Sequence, residues 1–492
     1  MALRRPTRFS TSIGSAEKPY QSLQKAAAVA VTKGNGCVVY VRPGDYDNGT
    51  ETPASDCGTL RCRLAVKNPD SGIRFVAVEG PARTRILGQA DGTTGGLGDD
   101  AIRCVHAYPG SGKSLVISGF TLAYGHSGAD AGSKDARGSV AYRGGLGALW
   151  LSDCVVTGCE SANGLLYQAN AVRCRFTSSL TLGGSIAAGG VIASSLAWGC
   201  GPDGNGSHYL ITGETRAYNV SVGRTSEKSF MSIGEVYNSV LDNGGDSGDI
   251  NGYGIENGGL HKHTLAYAVG GTPHTEAGGN QEGSVFGVRA GFADVGGGDL
   301  RLVACSRARG LARFDLVFKG CPTDAFGVAF NGSADGRFTA GAVETTVPGA
   351  LFETTYRDGI EPAEPKAFDS ADEIAVASTA LSRPLVGYAV NGSLVATTNR
   401  TWVLRLADYP GVDSFTVTAV YGTNFWADAT NGKESNSGLY ETEPKRCINS
   451  ALDLTEPGDV VIALPGRYES EAEARLHADG AKVRSRVVVP RR

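Results

Sequence analysis

SDCVV, residues 152–156, and VRCRF, residues 172–176, are two short phrases with one pattern. Each has a cysteine at its centre and an apolar residue two places further on. Residues i and i+2 share one face of a strand, so Cys154 and Val156 point one way, as do Cys174 and Phe176. The phrase recurs as SGFTL (118–122), ASSLA (193–197), YNVSV (218–222), YNSVL (237–241) and KHTLA (262–266). Its central residues are Phe120, Cys154, Cys174, Ser195, Val220, Ser239 and Thr264. After one longer step they follow at 20, 21, 25, 19 and 25 residues. A strand returning in phase at such a period marks a solenoid. Leucine-rich repeats share the period but need a fixed Leu and Asn framework, which is absent. A parallel β-helix fits better. Its coils pair through the backbone, so the interior asks for small or apolar side chains, with Gly, Asn, Asp or Ser at the bends.

A second, longer repeat frames the first. VVYVRPGDYD (38–47) returns as VVIALPGRYE (460–469), 422 positions later. Leu23, Ala26, Ala27 and Ala30 precede the first copy at helical spacing, with Pro19 near the start and Gly34 at the stop. In the second copy Pro444, Ile448 and Ala451 match Pro19, Leu23 and Ala26, while Pro465, Gly466 and Tyr468 match Pro43, Gly44 and Tyr46. Both units read as helix, strand and Pro-Gly turn. An amphipathic helix here would cover the apolar end and open edge of a solenoid.

Composition agrees. Seventy glycines in 492 residues are about twice the usual ~7 %, without a collagen period. The net charge of −4 gives no basic stripe for nucleic acid and no membrane-binding patch. No apolar run suffices for a transmembrane helix, and MALRRPTRFSTSIGSAEKPY has no signal-peptide core. Eleven cysteines include no CxxC pair, which argues against zinc.

At this point the sequence resembles a known group. PYQSLQKAA…VVYVRPGDYD and the stretch from NFWADATNGKESNSG to GDVVIALPGRYE resemble the opening segment of right-handed parallel β-helix proteins of the pectate-lyase-like superfamily. GDLRLVACSRA (298–308) and the stretch 315–344 resemble the end of such helices. The resemblance implies an all-β chain: a right-handed parallel β-helix with an N-terminal capping helix over 8–344, then the truncated start of a second β-helix over 422–492. Between them, 345–421 alternates apolar and polar residues around Asn391-Gly392 and Pro410-Gly411 and reads as a small Ig-like β-sandwich, with 361–373 as its linker. A solenoid needs about three repeats to bury a core, so 422–492 is expected to be loosely held, docked, or cut from a longer protein.

The resemblance specifies the fold better than the activity, because lyases, hydrolases, esterases, tailspikes and adhesins share it. A lyase would need Ca²⁺ on carboxylates and a base near the uronate C5. Asp242, Asp246 and Asp249 could supply the Ca²⁺ ligands, or simply form turns; no other cofactor is called for. His261 and His263 share a face if extended, with His274 further along and His208 on an earlier coil, a set that suits a metal site or a general base; one of them also reads as structural, since 263 falls just before the inward column. Arg216, Arg224 and Lys228 are candidates for base or acidic-sugar contact, or solvated loop charges. Tyr46, Tyr468 and Trp198 offer rings, though the tyrosines travel with the fold motif. Cys154 and Cys174 read as buried packing rather than reactive thiols. GHS (125–127) is similar to the polygalacturonase GHG, but no NTD or RIK accompanies it, and there is no RxPxxR. The expectation is therefore an exported or cell-surface bacterial protein, adhesin-like and non-catalytic, that binds a polysaccharide or surface glycan along its face. The alternative is a polysaccharide lyase or glycoside hydrolase of the same superfamily.

Overall fold

The computed structural model describes residues 14–488 except 34–35, 53–57, 68–71, 131, 145, 182–184, 203–208, 224–228, 233, 243–252, 257–259, 268–281, 287, 332–334, 354–359, 363–364, 369–371, 381–382, 456–458 and 469–485. The chain divides into two compact units. One comprises Met1–Leu302 and Ser306–Thr346, the other Val303–Cys305 and Val347–Arg492.

The first unit is mostly β, and its long parallel sheets fit a parallel β-helix. Three long parallel ladders run through it, beside a short one of Glu160–Ser161, Leu180–Thr181 and Gly201–Pro202. The first starts with Cys37–Val41, Ile73–Ala77, Ser114–Ser118, Ala148–Ser152 and Asn170–Val172 and ends at Glu235–Tyr237 and Leu260–Lys262. The second has ten strands, from Gly44–Tyr46 to Val285–Phe286. The third begins with Arg61–Lys67 and Ile102–Tyr108. Ala187–Ala193 and Tyr209–Tyr218 belong to the first and third ladders together, so these two form one 15-stranded sheet.

Register in the second ladder matches the spacing read from the sequence. Val156, Phe176, Ala197, Val222, Leu241 and Ala266 face one another coil by coil and all are buried. In the first ladder the inward column is Phe75, Ile117, Leu151, Ala171, Ile192, Ala217, Val236 and His261. Helix α1, Leu23–Lys33, sets Leu23, Ala27 and Ala30 into the same core cluster. Its Gln24 side chain bonds both the carbonyl and the amide of Ala65, each at 2.9 Å.

The small-residue column has a physical reason beyond size. Between first and second ladders the chain turns on one left-handed residue per coil: Asp153, Arg173, Ser194, Asn219, Asn238 and His263, with φ of 49–56°. The corner carbonyls of Ser152, Val172, Ala193, Tyr237 and Lys262 each accept a backbone amide of the preceding coil, and a carbonyl oxygen has a second lone pair to fill. The next residue in most of these coils supplies that second donor. Its side chain donates back to the carbonyl two residues earlier: Cys154 to Ser152 at 3.3 Å, Cys174 to Val172 at 3.4 Å, Ser195 to Ala193 at 2.8 Å, Ser239 to Tyr237 at 2.8 Å and Thr264 to Lys262 at 3.2 Å. The three hydroxyls also accept an amide of the preceding coil, Ser195 from Cys174 at 3.1 Å, Ser239 from Val220 at 3.0 Å and Thr264 from Ser239 at 3.5 Å. Thus Cys, Ser and Thr recur because they carry a short donor. The ten described cysteines are free thiols. Burial pushes Cys174 well above the usual range and Cys200 up to about 12, so these thiols stay protonated.

Past the last coils the chain returns over the corner. Asn238 clasps the Arg313 backbone, donating to its carbonyl at 2.8 Å and accepting from its amide at 2.9 Å. Ala342 N–H donates to the Ser221 hydroxyl at 2.8 Å. Phe318 stacks on Trp150, centroids 6.0 Å apart, on the outer face of the first ladder.

The second unit holds two sheets around one apolar core. One has five strands, Lys366–Ala367, Gly349–Glu353, Ser414–Tyr421, Leu385–Val390 and Ser393–Ala396, and the other three, Ile360–Glu361, Glu373–Ser378 and Thr401–Arg405. Tyr388, Phe415, Val376 and Leu404 lie in that core. Asn391-Gly392 turns the hairpin with φ of 48° and 80°, the geometry that dipeptide favours. Part of the stretch read as a linker is strand, since Lys366–Ala367 pairs with Gly349 and Ala350. Beyond it, Asn424–Ala427, Val460–Ala463 and Arg486–Val488 form a parallel ladder. Helix α2, Ile448–Leu452, buries Asn449 and Ala451.

Candidate functional site

The outer face of the second ladder carries a cleft of about 450 Å³. Its floor comes from two successive coils, Arg175–Thr177 and Leu196–Trp198, which set Arg175 beside Leu196 and Thr177 beside Trp198. These side chains alternate with the buried Phe176 and Ala197, so the period that fills the core also aims them outward. One wall is the segment Gly297–Arg301, which leads into the strand Asp299–Val303. The other wall holds Phe326 and Val343.

The cleft pairs an aromatic ring with fixed charges. Trp198 is half-buried and its indole N–H donates to the Val295 carbonyl at 2.7 Å. Gly298, at φ +85°, lies against the indole, where a Cβ would come within 3.1 Å of the ring. Only glycine combines that conformation with that approach. The Arg175 guanidinium stands 4.6 Å from the Phe326 ring centroid, a cation–π geometry. Arg301 and Asp299 form a two-point ion pair, with the Arg301 Nη2 donating to a carboxylate oxygen at 2.6 Å and Nε to the other at 2.9 Å. That hydrogen bond holds the Asp299 carboxyl below its ordinary range and raises Arg301. Among the described residues of the cleft lining, Asp299 is the one carboxylate. Such a set can stack a sugar ring and bond its hydroxyl or carboxylate oxygens.

Glu344 follows Val343 of that wall. Burial, then the nearby Asp324 carboxylate, pushes it up to about 7. Its folded value lies above its unfolded one, so Glu344 is stabilising while protonated and stability falls as pH rises from about 4.5 through 7. Glu344→Gln is expected to flatten that part of the stability–pH curve, followed by thermal melts; an unchanged curve would contradict this placement.

Of the described residues singled out from the sequence, Trp198 is the one that lines this cleft. Asp242 is buried, and its carboxylate accepts the Ala290 amide at 2.8 Å and stands 4.0 Å from the Arg289 guanidinium. Asp246, Asp249, His208, His274, Arg224 and Lys228 lie outside the described residues. Arg216 faces out of the first ladder, 3.7 Å from Glu235 in the next coil. His261 lies inside, 1 % exposed, and neither ring nitrogen meets a hydrogen-bonding partner among the described residues. His263 occupies the left-handed corner with its Nδ1 3.0 Å from the Leu311 carbonyl. His126 of the GHS phrase sits 3.5 Å from the Glu160 carboxylate. Tyr46 and Tyr468 make one hydrogen bond in both copies, to the carbonyls of Arg42 and Leu464, each at 2.9 Å. Among the described residues no three His, Cys, Asp or Glu side chains converge to hold a metal, and no helix is long and apolar enough to cross a membrane.

The sequence reading missed Arg175, Asp299, Arg301 and Phe326. The repeat carried a signal for Arg175, which precedes an inward residue and so faces out. Nothing local tied the distant 297–301 and 326 segments to that strand.

No protein-family model matches the chain, and neither does any curated protein.

Proposed function

We propose that the chain binds an acidic glycan through the cleft on the second ladder, and that it does so without cleaving it. One observation carries this reading: Trp198 shares the cleft with the Arg175 cation and the Arg301–Asp299 ion pair, a ring, a positive charge and fixed hydrogen-bonding groups suited to a uronate chain. Cleavage by glycosidase chemistry asks for two carboxylates astride the bond, and Asp299 is already paired with Arg301. The architecture supports the same reading by analogy. A right-handed helix of the pectate-lyase-like superfamily, capped by α1, followed by an Ig-like module and the start of another helix, suits an exported, surface-attached, adhesin-like protein.

The test is a screen of the purified chain on uronate polysaccharides with and without Ca²⁺, reading both retention and the absorbance of unsaturated product. Retention without product is expected. Product formation would replace this reading with a lyase. Arg301→Ala is expected to weaken retention about tenfold, as loss of a charge-assisted contact does; undiminished retention would move the site elsewhere.

A further inference from the structure

The cleft wall that carries Phe326 and Val343 is held by one carboxylate. Asp324 is fully buried. Its Oδ1 accepts the amides of Phe326 and Val328, each at 2.8 Å, and its Oδ2 accepts the Glu344 amide at 3.3 Å. The Ala325 amide ties the same two segments, donating to the Ala342 carbonyl at 2.7 Å. The turn that presents Phe326 to Arg175 and the segment that presents Val343 therefore share one anchor.

Glu344 sits against that anchor. Its carboxyl accepts a backbone hydrogen bond at Thr339, while its Oε2 is buried with no hydrogen-bonding partner among the described residues. The cations on the neighbouring elements are engaged elsewhere. Arg175 stands over the Phe326 ring, Arg173 pairs with Asp153, and Arg301 pairs with Asp299. Arg307 and Arg309 flank Ala308, whose carbonyl accepts the Ala340 amide, and neither shifts the Glu344 carboxyl. Two neighbouring carboxylates without a counter-ion resist ionising together. Burial first, and the Asp324 charge with it, raise Glu344 to about 7. Once ionised, Glu344 gains by moving out to water, and that movement pulls on the amide bonded to Asp324.

We propose that Glu344 is a pH latch on the cleft: protonated, it lets the Asp324 anchor hold Phe326 and Val343 in place, and ionised, it opens that wall and releases the ligand. The release rests on the glycan-binding reading of the cleft. The closed wall holds the proton more tightly than the open one, so closure is full below about 4.5 and is lost as pH rises through about 7. That gap caps the shift at roughly 300-fold. A uronate's own carboxylates titrate near about 4, and among the described residues no histidine lines the cleft. The change between pH 5 and pH 8 therefore belongs to Glu344.

Hydrogen exchange, corrected for the intrinsic effect of pH, reads the wall without any glycan. Protection of the Phe326 and Val328 amides is expected to fall about tenfold or more from pH 5 to pH 8 in the parent, and to stay level in Glu344→Gln. Affinity for an acidic glycan should fall in parallel in the parent and stay level in the variant. Level protection in the parent, or an equal fall in Glu344→Gln, would overturn the latch; the parent's own profile decides if the variant does not fold. Protection that falls as expected with no glycan bound at either pH would support the latch and overturn the glycan reading alone.

Discussion

Asn238→Ala is expected to lower the unfolding free energy of the first unit by about 3–5 kcal/mol. Three losses combine. The Asn238 amide makes two hydrogen bonds to the Arg313 backbone, at 2.8 and 2.9 Å, and is wholly buried. Each buried backbone group left unpaired costs about 1–3 kcal/mol. Asn238 also holds φ at 51°, where alanine pays roughly 1 kcal/mol and asparagine is better tolerated. Asn238→Gly removes the bonds but not the permitted conformation, so it should lie about 1 kcal/mol above Asn238→Ala. Asn219 is the internal control. It fills the same corner one coil earlier at φ 52°, but its amide meets no described partner. Asn219→Gly is expected to cost less than Asn238→Gly. Denaturant unfolding of the three variants checks the order, and equal costs at 219 and 238 would refute the clasp.

His261→Leu is expected to make the protein more resistant to acid. His261 continues an apolar column, directly after Val236, with both ring nitrogens unpartnered among the described residues. Burial lowers it to about 4. Its folded value is below its unfolded one, so its contribution is intact above pH 6.5 and is lost as pH falls toward 4. At about 1.4 kcal/mol per unit, the loss is on the order of 3 kcal/mol. Leucine has nothing to protonate and leaves no polar atom unpaired, so the variant should match or exceed the parent at pH 7. Glu344 works in the opposite direction over an overlapping range, so the histidine is best read in a Glu344→Gln background. A parent whose stability is flat between pH 7 and 4 in that background would place His261 wrongly.

The two histidines show what the sequence conveys and what it hides. His261 and His263 are two apart, and alternation alone would put them on one face. The corner intervenes: His261 ends an inward column, and His263 adopts the left-handed turn itself. Strand period is legible in one sequence because it repeats every coil. The steps from Cys154 to Thr264 therefore predicted the register of the second ladder. The third ladder was not legible, because its outward residues are large and covered. His106, Tyr142 and Tyr167 stack there at 5.0 and 5.3 Å under Arg103 and Arg137, with no small-residue rhythm to betray them. The cysteines and serines were placed correctly as a column and explained only in part, since their size is visible in the sequence and their bonds to corner carbonyls are not. The cleft was least legible. Trp198 belongs to a repeat, whereas Asp299, Arg301 and Phe326 come from non-repeating chain whose position depends on how the last coils end.

The most direct test of the glycan-binding account is a glycan array probed with the parent protein and with Trp198→Ala. The account predicts that the parent retains acidic, uronate-containing glycans and that Trp198→Ala loses at least about tenfold in apparent affinity, the cost of one stacking ring, with binding read well below the variant's own melting range, because the indole also packs on Gly298 and bonds the Val295 carbonyl. A blank array for the parent, or undiminished binding by Trp198→Ala, would contradict it.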